Sequence, residues 1–139
     1  MKKMLTMLIP AAILMSSCVS ISTKKAPTAD LTTLNTFYVQ KLPADERGIE
    51  RVISDQLNLL GYKSTYGKLG TPSNPVDAIV TYRDKWMWDI TMYMIQLNLE
   101  IRDGKDMSVL ASGKSHRPSL VRKSPEEMAK EILVNIFKK

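Results

Sequence analysis

The side chains with the widest chemical reach in this sequence are few, and most of them cluster. Both tryptophans lie in Trp86-Met87-Trp88, and Met92-Tyr93-Met94 follows four residues later. Two thioethers two residues apart on an extended chain are soft donors of the kind that takes copper(I) or silver(I), and an adjacent tryptophan or the one histidine, His116, would complete such a site. A second chemistry competes with this one. Methionine is also a flexible apolar filler, and beside tryptophan it makes a contact surface for a protein or a lipid. Trp86, Trp88, Met92 and Met94 are therefore the candidate interaction face, with soft-metal binding as the alternative. The bland outcome is that a loop such as residues 67–75, or the N-terminal segment, covers this face.

Little else points to catalysis. The sequence has no glycine-rich phosphate loop, no histidine pair and no serine elbow. His116 stands between Ser115 and Arg117 at the end of an extended stretch, where solvation explains it. The acid pairs Asp45-Glu46 and Glu126-Glu127 fall in the first turns of two helical stretches, where they stabilise the helix dipole. No catalytic set, no cofactor and no metal-ligand set of hard donors is expected, and the chain reads as a non-enzyme. Cys18 is the only cysteine, so its thiol has no intramolecular disulfide partner.

The elements that must position these residues follow from periodicity. Residues 36–42 carry Phe37 and Val39 two apart and read as a strand. After Pro43 and Asp45, the residues Ile49, Val52, Ile53, Leu57 and Leu60 recur at helical spacing, and Gly61 stops the helix. Residues 62–66 form a short strand and 67–75 a loop rich in Gly and Pro. Strands over 76–84, 90–102 and 107–115 follow, the last two joined by the turn Asp103-Gly104-Lys105-Asp106. The middle strand alternates: Tyr93, Ile95, Leu97, Leu99 and Ile101 share one face, and Met92, Met94, Gln96, Asn98 and Glu100 the other. If the first set meets the helices, Met92 and Met94 lie on the open side. A last helix opens at Ser124, with Pro125 in its first position and Glu127 completing a capping box, and buries Met128, Ile132, Leu133, Ile136 and Phe137. The expectation is a single small α+β domain in the order β-α-β-β-β-β-α. Its sheet is mostly antiparallel and four- to five-stranded, with two helices packed on one face.

The N-terminus has the three-part plan of an export signal. Lys2 and Lys3 precede an uncharged run from Met4 to Met15, which ends in the small residues Ser16 and Ser17. Twelve residues are too few to span a bilayer, which takes roughly 20. The stretch Leu14-Met15-Ser16-Ser17-Cys18 resembles the lipobox of bacterial lipoproteins, with Met15 where Leu is usual. That resemblance implies cleavage before Cys18, a diacylglycerol on its thiol and a further acyl chain on its amine. Val19 in the next position implies the outer membrane under the sorting rule of enteric bacteria, and the absence of acids from Ser20 to Pro27 implies the periplasmic side. The chain thus divides into a leader (1–17), a lipid-tethered flexible linker (18–33) and a periplasmic domain (34–139). Lys24 and Lys25 are expected beside anionic headgroups. Loss of Lys2 and Lys3 with the leader lowers the formal net charge from +6 to +4. With no basic stripe interleaved with aromatics, nucleic acid is not an expected partner. The order of elements resembles that of small periplasmic lipoproteins with two helices on one sheet face, the lipopolysaccharide-assembly lipoproteins among them. This implies a binding or assembly-accessory module whose partners are the membrane, through Cys18, and an envelope protein or lipid.

Overall fold

The computed structural model describes residues 19–138; the leader and Cys18, with the expected cleavage and acylation, lie outside the described residues. The clearest link from sequence to structure is the last helix. Ser124 accepts from the backbone N–H of Glu127 at 3.2 Å, and the Glu127 carboxylate accepts from the backbone N–H of Ser124 at 3.2 Å. Two of the N–H groups that a helix start leaves without partners are thereby satisfied. From this cap α2 (Pro125–Ile136) runs with Met128, Ala129, Ile132, Leu133 and Ile136 fully buried. The earlier helix, α1 (Ile49–Leu59), buries Ile49, Ile53 and Leu57. Its start lies later than the acid pair suggests. Gly48 turns the chain at φ 70°, a left-handed conformation that glycine adopts without strain. The Asp45 carboxylate then accepts from the N–H groups of Arg47 (2.7 Å) and Ile49 (2.8 Å).

Both helices lie on one face of a six-stranded mixed sheet: β1 (Ser20–Lys25), β2 (Thr36–Gln40), β3 (Lys63–Gly67), β4 (Ala78–Asp89), β5 (Thr91–Asp103) and β6 (Val109–His116). The order across the sheet is β1-β6-β5-β4-β2-β3. β2 runs parallel to β3 and to β4, and the remaining neighbours are antiparallel. The core lies between sheet and helices, where Phe37, Val39, Val80, Tyr82, Leu97, Leu99 and Ile101 meet the two helical stripes. Gly113 is required for that approach, because a Cβ there would collide with Ile132 and Ile136 of α2. The α+β class and the two helices are as the sequence implies; the sheet has six strands where four to five were expected.

The sixth strand comes from the expected linker. Ser20 to Lys25 pairs with β6 from His116 back to Ala111, so the folded part begins well before Leu34. Leu31 and Leu34 are also buried, anchoring the turn that leads into β2. The reason is backbone pairing. β1 completes hydrogen bonds of β6 and leaves all six of its own residues exposed, so its sequence carries no apolar alternation. Lys24 and Lys25 are consequently at the end of β1 remote from Ser20, and the Lys25 ammonium donates to the carbonyl of Lys138 at 3.2 Å. Lysines on an edge strand also discourage further strand pairing.

Candidate functional site

The candidate face lies on the longest strand pair. β4 and β5 stay paired to Asp89–Thr91, well past the level at which β6 ends opposite Gln96. The last rungs therefore form a projecting two-stranded arm, with Trp86 opposite Met94 and Trp88 opposite Met92. The pairing slips between Lys85 and Trp86: Lys85 faces Gln96, Trp86 faces Met94, and Ile95 has no opposite residue. Such a β-bulge reverses the alternation beyond it. On the sheet side of the bulge Leu97, Leu99 and Ile101 face the helices; on the arm side Met94 and Met92 do.

The four candidate residues thus share a face, but it is the helix face and not the open one. This corrects the expectation from simple alternation, and the face is divided. Met94 is buried in the core, and Trp86 packs against it. The Trp86 indole N–H donates to Asp84 Oδ2 at 2.6 Å, and the Arg47 guanidinium lies 3.9 Å from its ring centroid, a cation–π contact. Farther along the arm, Trp88 is 70% exposed and Met92, beside the start of α2, 45% exposed. The sequence reading missed two further exposed apolar residues at this end. Ile90, at the tip, is 86% exposed with φ 63°. Leu120 is also 86% exposed, in the short turn Ser119–Val121 that packs beside the arm. No periodic signal marks either residue, since both stand in turns.

That turn is fastened by polar groups. Arg122 donates to Thr91 Oγ1 at 2.7 Å and to the Asp89 carbonyl at 3.3 Å, and lies 4.5 Å from the Tyr93 ring centroid. Ser119 donates to the Asp89 carboxylate. The one acid at the arm's tip is thus already engaged, by Ser119 and Arg122.

Two polar clusters elsewhere could be mistaken for catalytic sets. Tyr82, buried beneath α1, donates to Asp45 Oδ2 at 2.6 Å, lies 3.3 Å from Glu50 Oε2, and accepts from the Leu42 N–H at 3.1 Å. Burial and the bond to Asp45 push the Tyr82 phenol well above its ordinary pKa. Burial works to raise the Asp45 carboxyl, but the bonds from Tyr82, Arg47 and Ile49 outweigh it, and the net shift is downward. The short Tyr82–Asp45 bond thus ties the turn before α1 to β4 beneath it. In the second cluster Glu131 of α2 receives Arg117, Lys123 (2.6 Å) and Ser115 (3.3 Å), tying α2 to the end of β6.

The open sheet face bears a cleft of about 400 Å³ lined by Gln40, Leu42, Leu69, Arg83, Glu100 and Arg102. Arg102 is spent internally, on Glu100, the Met107 carbonyl (3.0 Å) and Thr81 (3.4 Å). His116 lies on this face, its Nδ1 3.1 Å from Gln96 Oε1. It therefore stands on the opposite side of the sheet from Met94. Among the described residues no group of three or more His, Cys, Asp or Glu side chains is placed to hold a metal ion, and no helix is long and apolar enough to cross a membrane.

Fold and site together define a small α+β domain with two helices on one face of a mixed sheet and an apolar β-arm at one end. No family model and no curated protein sequence matches the chain. Solved structures share its fold. A PelC dodecamer from Paraburkholderia phytofirmans superposes with a TM-score of 0.58 at 11% identity, covering 84% of this chain and 93% of that one. A dodecamer of a PelC variant from the same organism gives 0.57 at 13%, covering 84% and 92%. A PDZ domain protein from Parabacteroides distasonis gives 0.51 at 14%, covering 81% of this chain but only 33% of that one. At these identities the likeness is one of fold.

Proposed function

We propose that this chain is a non-enzymatic lipoprotein of the bacterial envelope. In this reading it is acylated at Cys18, held in the outer membrane on the periplasmic side, and serves as a binding or assembly-accessory module. The observation that carries the proposal is the β4–β5 arm. It extends past the end of β6, and exposes Trp88, Ile90 and Met92 where a projecting hairpin without a contact role would be polar. The lipobox-like stretch that ends at Cys18 supports the anchor. What supports a non-catalytic reading is that the buried polar groups are engaged in holding the fold: the Tyr82 hydroxyl by Asp45 and the Leu42 N–H, and Glu131 by Arg117 and Lys123. Soft-metal binding is the weaker reading, because Met94 is sealed in the core and His116 is on the opposite sheet face.

The test of the anchor is metabolic labelling with a tagged fatty acid. Wild-type chain is expected to take up the label and to float with the outer membrane, and Cys18→Ala to do neither. Wild-type chain recovered without acyl groups would remove the lipoprotein reading.

A further inference from the structure

The strand register fixes which end of the domain faces the chain leading back to Cys18. Ser20 is paired with His116, His116 with Gln96, and Gln96 with Lys85. β1 runs in the same direction as β5, because both are antiparallel to β6. The chain preceding Ser20 therefore enters from the end at which β5 begins, which is the tip of the arm. Cys18 is two residues upstream of Ser20, a reach of at most about 7 Å. From Lys85 the arm continues four residues to Asp89, about 13 Å at the strand rise, before the turn at Ile90. The tip thus passes the farthest level Cys18 can reach by at least about 6 Å, comparable to the roughly 5–10 Å at which interfacial apolar groups bury themselves.

On this geometry, and resting on the acylation proposed above, we propose that the arm is a second membrane attachment. Trp88, Ile90, Met92 and Leu120 enter the interfacial layer of the same leaflet that holds the acyl chains of Cys18. The side chains suit that layer. Tryptophan favours the headgroup boundary, and the exposed Lys85 and Arg47 stand behind the apolar tip at the level where anionic phosphates lie. Ile90 points the same way. A β-branched residue at φ 63° is strained, and a turn under no other demand takes Asn or Gly there. Depth is limited by the backbone. β4 pairs with β2 only through Val80, so its outer edge from Thr81 onward has unpaired groups that require water. The arm accordingly dips into the interface and does not cross the hydrocarbon. With the lipid and the arm side by side, the domain is oriented by two attachments, and its open face and β3 edge are turned along and away from the membrane.

The chain has two tryptophans, so each can be isolated. Mature chain purified from membranes is reconstituted in phosphatidylethanolamine–phosphatidylglycerol vesicles with and without brominated acyl chains. In Trp86→Phe the remaining Trp88 is expected to shift to the blue and to lose roughly half its emission to bromine. In Trp88→Phe the remaining Trp86, under Arg47, is expected to change little. If Trp86→Phe does not fold, the quenching lost between wild type and Trp88→Phe supplies the same quantity. Mass measurement of the same sample separates the two proposals. An unacylated chain whose Trp88 is quenched keeps the arm and removes the anchor; an acylated chain whose Trp88 is blind to bromine keeps the anchor and overturns the arm. A Trp88 emission that responds to protein concentration and not to lipid also overturns it, in favour of a second copy covering the tip.

Discussion

Tyr82→Phe tests whether the clasp under α1 is structural. The ring is buried and its packing is preserved in phenylalanine, so the substitution isolates one oxygen. That oxygen donates to Asp45 Oδ2 at 2.6 Å and accepts from the Leu42 N–H at 3.1 Å. Removing it leaves the part-buried Leu42 N–H without this partner and takes the phenol donor from a buried carboxylate, which retains the N–H groups of Arg47 and Ile49. A hydrogen bond to a charged group contributes about 1.5–3 kcal/mol, so a net loss of about 2 kcal/mol is expected. At a urea slope of about 1–1.5 kcal/mol per molar, the unfolding midpoint falls by roughly 1.3–2 M with the slope unchanged. The pH dependence gives a second readout. The Asp45 carboxyl is held below its ordinary range in the folded state: burial opposes the charge, and the bonds from Tyr82, Arg47 and Ile49 prevail. A depressed carboxyl pKa contributes stability that is fully present above the unfolded value, about 3.9, and lost as pH falls through the folded one. Tyr82→Phe removes part of that contribution, so the gap between wild type and variant is widest at neutral pH and narrows as pH falls below the ordinary carboxylate range. The raised Tyr82 pKa acts only in strong alkali and leaves this window untouched. A variant within about 0.5 kcal/mol of wild type at pH 7, or a gap that stays constant into acid, would refute the clasp.

Two more predictions separate core from arm. Leu133→Ala, in the buried stripe of α2, is expected to cost about 2–5 kcal/mol, whereas Val134→Ala, next to it but 44% exposed, should stay within about 0.5 kcal/mol; equal effects in thermal melts would show that α2 does not supply the core. Ile90→Asn relieves a β-branched side chain at φ 63° and is expected to raise stability by up to about 1 kcal/mol while weakening membrane attachment of the arm; a loss of stability would mean that Ile90 packs against something in the free domain.

The features legible from sequence are those whose signal is local. The α2 cap needs only Ser124, Pro125 and Glu127 in their order, and the helix face follows from a spacing of three and four. The alternation of Leu97, Leu99 and Ile101 likewise gives the true inner face of β5. β1 was not legible, because its stability comes from β6's unpaired backbone and not from its own side chains; only Ile21 and Thr23, β-branched and two apart, carry a trace of it. The later start of α1 is equally non-local, since Asp45 caps the helix from four residues upstream across the turn at Gly48.

The bulge at Ile95 determines the character of the arm, and it was the least legible feature of all. Ile95 itself is apolar and fits the alternation of Tyr93, Leu97 and Leu99, so nothing in the pattern announces that it is skipped. Without the skip, Met94 and Met92 would sit on the open sheet face as a wholly exposed patch. With it, Met94 joins the core, Trp86 packs against it, and Trp88 and Met92 stay exposed farther along the same face. The inner half of the face then holds the outer half: Trp86, clamped by Arg47 and Asp84, fixes the direction of the strands on which Trp88, Ile90 and Met92 stand. One inserted residue thus converts what alternation reads as a patch on the open face into an apolar arm on the helix side of the sheet, at the end of the domain where β1 begins.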